Sequence, residues 1–198
     1  IRISQELSSL ATSLPLSINS GVFMRVNEEK VNEIRFIIIG PAGTPYENGC
    51  FEFEMIIGFD YPNNPPHVQI MTTGSGSVRF NPNLYNNGKV CLSLLGTWSG
   101  PGWDPNVSTL LQVLVSIQSL IMVPDPYFNE PGYEASQGTF SGNRASENYN
   151  QNIRLRTMEQ AMLAQLQNPT PGFEEVIRTH FTMKREQIMA QCNDWKKG

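Results

Sequence analysis

Cys91 is the residue around which any chemistry in this sequence has to be organised. It lies in "FNPNLYNNGKVCLSLL", eight residues beyond Asn83 and just past the polar turn Asn86-Asn87-Gly88. A thiolate is a strong nucleophile, and a free cysteine, with a pKa of about 8.5, is partly ionised near neutrality. A cysteine protease would also need a base to drive amide cleavage. The chain has only two histidines, His67 and His180, and neither stands in a stretch that matches a protease motif. The other cysteines, Cys50 and Cys192, share no metal-ligand spacing with Cys91, and three is an odd number. A zinc site and a disulfide framework are both set aside. The bland alternative for Cys91 is a small buried hydrophobe.

The elements that must position this thiol can be read from periodicity. Ile3, Leu7, Leu10 and Leu14 mark one face of a helix that Pro15 ends. Strand-like runs follow at Val22 to Val26, Ile34 to Ile39, Phe51 to Ile57 and Val68 to Met71, and their short connections predict an antiparallel meander. Phe51, Phe53 and Met55 alternate with Glu52 and Glu54, so one face is expected to be buried and the other wet. By the same alternation Cys50 points to the outer face. "YPNNPP", Tyr61 to Pro66, is a stiff loop. Thr72 to Asn106 is long, glycine-rich and irregular, and it holds Cys91. A loop of that length in a compact domain is expected to be functional.

Val107 to Val123 is apolar almost all round and reads as a helix buried on most sides. Two helical patterns, Ser146 to Gln167 and Gly172 to Trp195, finish the chain. In them Phe173, Val176, Ile177, Phe181, Ile188 and Met189 form a face expected to dock on the domain or on a neighbouring subunit. Cys192 is expected to pack in the last helix. Strands first and helices after predict an α+β class, with a core domain at 1–150 and a helical extension at 151–198. A hydrophobic share of 39% supports a buried core, and a net charge of −4 without a basic run argues against a nucleic-acid partner. The longest apolar run, Leu110 to Val123, is interrupted by Gln112, Ser116, Gln118 and Ser119, so no membrane span is expected. Unpaired cysteines fit a reducing compartment, hence a cytoplasmic location. The chain opens on Ile1, as a piece of something longer would.

The phrases "GPAGTPYENGCFEFEM", "YPNNPPHV", "NPNLYNNGKVCLSLL", Trp103 and "LLQVLVSIQSLI" occur here in the order and spacing of ubiquitin-conjugating enzymes. The sequence resembles the catalytic domain of that family from the first helix to about Tyr149. "SVRFNPNLYNNGKVCLSLL", "PYFNEPGYE" and "IMAQCNDW" extend the resemblance to the giant hybrid conjugating enzymes/ligases among the inhibitor-of-apoptosis proteins.

The resemblance implies the ubiquitin-conjugating fold: N-terminal helix, four-stranded antiparallel meander, long active-site loop, buried central helix and C-terminal helices. It implies that Cys91 accepts ubiquitin as a thioester, an exchange in which one sulfur replaces another and no histidine base is required. Asn83 matches the asparagine of the family's His-Pro-Asn motif. It would either stabilise the oxyanion formed when a lysine attacks or brace the loop. Asn81 stands where that motif has histidine, and Asn81 and Pro82 would support the loop.

Asn129 and Glu130, in the loop Pro124 to Glu134, are candidates for a polar gate beside the cysteine. Val115 and Ser119 match positions that contact the activated ubiquitin. The implied partners are ubiquitin, the activating enzyme and protein substrates, with self-association through the C-terminal helices also open. No resident cofactor or metal is implied, because ATP is consumed upstream by the activating enzyme. The wider hybrid would act against apoptosis, with attachment to endomembranes through its other parts. The alternatives are a conjugating enzyme for a ubiquitin-like modifier and a non-catalytic ubiquitin-binding variant. Cys91 speaks against the second, because such variants lack the cysteine. The proline loop carries polar Asn63 where many members place the phenylalanine that plugs into a ligase. Since one apolar anchor usually dominates such an interface, binding to isolated RING and HECT domains is expected to be weak. Titrations that give ordinary micromolar affinity for several RING domains would contradict this.

Overall fold

A computed structural model describes residues 2–17 and 19–197. Helix α1, Arg2–Ser13, lays Leu10 into the core, and Ile3, Leu7 and Leu14 pack against it. The sheet is an antiparallel meander in the order β1-β2-β3-β4-β5: Leu16–Ser17, Ser20–Val26, Glu33–Ile39, Cys50–Ile56 and His67–Ile70. The four expected strands are present. The fifth, β1, is a two-residue pairing of Leu16 and Ser17 with Gly21 and Ser20, too short to show as alternation in the sequence.

Register places Phe36 opposite Phe53, and their rings stack 5.1 Å apart. Val22, Ile34, Phe36, Ile38, Phe51, Phe53 and Met55 form the inner layer against the central helix. That helix, α2, Leu110–Ser116, continues as a π-helical turn over Ile117–Ile121. It starts at Thr109 because a capping box satisfies its first donors. The Gln112 N–H donates to Thr109 Oγ1 at 3.3 Å, and the Thr109 N–H donates to Gln112 Oε1 at 3.1 Å.

The outer face of the sheet is not wet. Ile37, Ile39 and Cys50 meet Met162, Phe173, Ile177, Phe181 and Ile188 in a second buried cluster. Helix α3 (Phe140–Arg156) runs on through a π-helical continuation, Thr157–Leu163, which supplies Met162, into α4 (Ala164–Gln167). Phe173 caps the start of α5 (Glu174–Met183), which supplies Ile177 and Phe181, and α6 (Arg185–Trp195) supplies Ile188. Glu52 is half-buried, paired with Arg35 and accepting from Thr170 Oγ1. The expected division at 150/151 falls inside α3, and the segment beyond it packs on the core. Of the expected docking face, Phe173, Ile177, Phe181 and Ile188 are buried against the domain itself, while Met189 is 58% exposed. Among the described residues no helix is long and apolar enough to cross a membrane.

The second cluster makes the C-terminal helices part of the fold. Phe173→Ala is expected to cost about 3–5 kcal/mol through the cavity it leaves. Met189→Ala is expected to stay within about 0.5 kcal/mol. Chemical denaturation of the two variants beside the parent checks both.

Candidate active site

The chain from Val78 to Trp103 has little regular structure, so side-chain hydrogen bonds give it its shape. The turn opposite Cys91 closes with Gly88 at φ +92°, a conformation that favours glycine. Its N–H donates to the Tyr85 carbonyl at 3.0 Å. The turn returns Cys91 alongside Asn83. The Cys91 N–H donates to the Asn83 carbonyl at 2.8 Å, and Asn83 Nδ2 donates to the Cys91 carbonyl at 2.9 Å. On the other side Thr97 Oγ1 accepts from the Leu92 N–H at 2.9 Å and donates to the Val90 carbonyl at 2.7 Å. The cysteine is clamped from both directions.

Asn81 is fully buried and uses both ends of its carboxamide. Nδ2 donates to Tyr46 Oη at 2.9 Å and to the Ile121 carbonyl at 2.7 Å, while Oδ1 accepts from the Asn83 N–H at 2.8 Å. Asparagine at this position therefore supports the loop. Pro82 is buried beside it, and its carbonyl accepts from Arg79 at 2.7 Å.

Cys91 is 2% exposed, yet it lines a half-open cavity of about 300 Å³ with Asn83, Leu92, Ser93, Trp98, Leu120, Ile121 and Asn129. A reacting tail must enter this cavity to reach the sulfur. Burial pushes the Cys91 thiol above its ordinary pKa, and the positive charges of Lys89 and Arg79 pull it partly back. Asn83 Oδ1 is buried with no partner among the described residues, an open acceptor on a residue of the cavity wall. Among the described residues no cluster of metal-ligating side chains occurs.

The two gate candidates part company. Asn129 lines the cysteine cavity, and its side-chain amide makes long contacts, 3.3 Å to Asn81 Oδ1, 3.4 Å to the Leu120 carbonyl and 3.5 Å to the Ile121 carbonyl. Glu130 follows the turn Pro126–Asn129 in extended backbone, at φ −73° and ψ 127°, and its carboxylate lies 3.5 Å from Arg79 in a separate cavity. It is not a wall of the cysteine site.

The sequence model described as "Ubiquitin-conjugating enzyme" matches residues 2–157. The chain belongs to that family. It is 57% identical over 98% of its length to the human "Dual E2 ubiquitin-conjugating enzyme/E3 ubiquitin-protein ligase BIRC6", of which it covers 4%. It is 50% identical over 98% of its length to "Probable ubiquitin-conjugating enzyme protein 17" of Caenorhabditis elegans, of which it covers 27%. The chain thus spans a small part of these relatives. A ubiquitin conjugating enzyme E2 domain of Toxoplasma gondii superimposes with TM-score 0.58 at 28% identity, covering 81% of this chain and 97% of that one.

Other family positions sit as follows. Val115 is partly exposed on α2 beside an apolar groove with Leu94, Val107 and Leu111, whereas Ser119 spends its hydroxyl on the Val115 carbonyl at 2.7 Å. Asn63 is exposed on the proline loop, where the Pro62 carbonyl is tied to Trp103 Nε1 at 2.6 Å. His67 is exposed at the start of β5, and His180 Nε2 lies 3.0 Å from the Asn48 carbonyl, so neither histidine is among the residues lining the thiol's cavity. Cys50 is fully buried and Cys192 packs on Met162, 3.9 Å between sulfurs. Trp98 and Thr97 were invisible as site residues in the sequence, since a glycine-flanked loop carries no periodicity to place them.

Because burial opposes ionisation of Cys91 and Lys89 favours it, Lys89→Glu is expected to raise the thiol further. Alkylation at Cys91, followed by peptide mass spectrometry near neutral pH, should slow by roughly 2- to 5-fold. In the parent the rate should keep climbing as pH rises past the ordinary thiol range.

Proposed function

We propose that this domain is an active ubiquitin-conjugating enzyme with Cys91 as its acceptor thiol. The Cys91 thiolate attacks the thioester carbonyl of ubiquitin carried by the activating enzyme. The C–S bond to Cys91 forms as the old C–S bond breaks, and the activating enzyme's thiolate leaves. A substrate lysine amine then attacks the new thioester, an amide forms, the Cys91 thiolate is expelled, and the amine's proton passes to solvent. The observation that carries this reading is a clamped cysteine on the wall of a half-open polar cavity in a chain of this family.

In this scheme Asn83 has two tasks. One Nδ2 hydrogen fixes the Cys91 carbonyl, and the second is free to meet the oxyanion as it develops. The unpartnered Oδ1 offers the attacking amine an acceptor. Asn129, loosely held in the lining of the same cavity, is the gate. Val115 leads the contact with the loaded ubiquitin. The domain works in the cytoplasm, where thiols stay reduced. There it would supply the conjugating step of a larger hybrid conjugating enzyme/ligase that restrains apoptosis.

The test is incubation with ATP, ubiquitin-activating enzyme and ubiquitin or ubiquitin-like modifiers in separate reactions, read on non-reducing gels. A ubiquitin adduct that disappears with thiol and is absent in Cys91→Ala is expected, and Cys91→Ser should give a more stable oxyester. An adduct formed only with another modifier overturns the assignment of substrate. Asn83→Ala is expected to slow discharge to lysine by roughly 10²- to 10³-fold.

A further inference from the structure

A second cavity, of about 360 Å³, is lined by Arg79, Pro82, Tyr127, Glu130, Tyr133 and Tyr149. The two cavities share their walls in sequence: Pro82 precedes Asn83, and Asn129 precedes Glu130. Tyr127 is central to it, 4.7 Å from the Tyr133 ring and 6.1 Å from the Tyr149 ring. Burial keeps Tyr149 a neutral phenol, with its pKa pushed up to about 12. Three tyrosine rings and one carboxylate in the lining attract cations, and Arg79 is the single basic group among the lining residues.

The resident cation does not fill it. Arg79 donates to the Pro82 carbonyl at 2.7 Å, and its guanidinium stacks 4.1 Å over Tyr85, which is not one of the lining residues. Its approach to Glu130 is a long 3.5 Å contact between half-exposed side chains, an ion pair of small value. Among the described residues, no cation lies over Tyr127, Tyr133 or Tyr149. An apolar occupant would leave Glu130 with only this long Arg79 contact, and an anionic one would set the single guanidinium against that carboxylate and three electron-rich rings.

We propose that this tyrosine pocket receives a basic side chain of the protein acceptor, an arginine or lysine flanking the lysine under attack. The lining residues' adjacency in the chain, Pro82 to Asn83 and Asn129 to Glu130, fits a specificity subsite: an extended acceptor advances about 3.3–3.6 Å per residue, which carries residues flanking the reacting lysine toward the second cavity. The inference rests on the conjugating activity proposed above, and its test separates the two.

The complete chain would be charged with ubiquitin and discharged in single turnovers onto matched lysine peptides carrying arginine, alanine or glutamate at positions flanking the lysine. Free lysine serves as the control acceptor. Arginine peptides should discharge roughly 5- to 10-fold more efficiently than alanine peptides, through a lower half-saturating concentration. Tyr133→Leu and Glu130→Gln should each erase most of that preference, and Tyr133→Leu should leave discharge to free lysine unchanged. Independently, the uncharged Cys91→Ala chain titrated with the arginine peptide should shift the ring resonances of Tyr127, Tyr133 and Tyr149, with the alanine peptide inert. Equal discharge of the arginine and alanine peptides overturns the proposal, as does a preference that survives both substitutions. It also fails if Glu130→Gln impairs charging alone, because the occupant would then belong to the modifier. Failure to charge at all defeats the conjugating activity instead, and the titration still decides whether the pocket takes a basic side chain.

Discussion

A loop without secondary structure can hold a reactive group only if something rigid fixes it, and here the Asn81 carboxamide does so. Its two ends join the Tyr46 hydroxyl, the end of the central helix at Ile121 and the Asn83 backbone that pairs with Cys91. Each neutral hydrogen bond contributes only about 1 kcal/mol net, but a buried group left unpaired costs about 1–3 kcal/mol. That asymmetry favours this arrangement, in which Tyr46, Ile121 and Asn83 are all satisfied by one side chain. Tyr46 can come this close because Gly40 has no Cβ, which would fall 1.8 Å from the Tyr46 carbonyl oxygen.

The hairpin loop between β3 and β4 serves both layers of the molecule. Tyr46 points to the active-site knot, and its hydroxyl donates to the Phe80 carbonyl at 2.9 Å. Two residues on, Asn48 takes the left-handed conformation at φ +62° and turns to the C-terminal helices. Its Oδ1 accepts from the buried Lys184 ammonium at 2.7 Å, and its Nδ2 donates to Gln191. Lys184 sits at the break between α5 and α6, and burial lowers its pKa while Glu47 offsets part of the loss. A short hairpin therefore ties the catalytic loop and the outer helices to the same strands.

Much of this was legible in the sequence because the signals were local. Alternation in Phe51 to Ile57 gave both the strand and the outward direction of Cys50. The "NPN" and "GKVC" phrases located the thiol and its asparagine. The covering of the outer face was harder to see, since Glu52 and Glu54 suggested solvent. Ile37 and Ile39 on the neighbouring strand carried the contrary signal, as outward apolar residues that needed a partner. The helix starts at 140 rather than 146 because Thr139 Oγ1 accepts from the Gly142 N–H, a cap hidden among polar residues. The separation of Asn129 from Glu130 was beyond reach, because it depends on the backbone leaving a 3-10 turn between them.

A cysteine whose pKa is raised by burial looks badly suited to nucleophilic work, and for a protease it would be. Thioester exchange weighs the same property twice. A more basic thiolate is scarcer, but its intrinsic nucleophilicity is higher, so the loss in rate is smaller than the loss in ionised fraction. In the proposed reaction the acylated sulfur would also be a poorer leaving group, which would protect the thioester from casual attack by water. Lys89 and Arg79 keep the rise in check from outside the cavity, where their charges favour the thiolate without coordinating it. Discharge would then depend less on a weak C–S bond than on bringing an amine into the space lined by Asn83, Trp98 and Asn129. On that proposal the site would hold its cargo until a positioned acceptor arrives, which is the behaviour a carrier requires and a hydrolase must avoid.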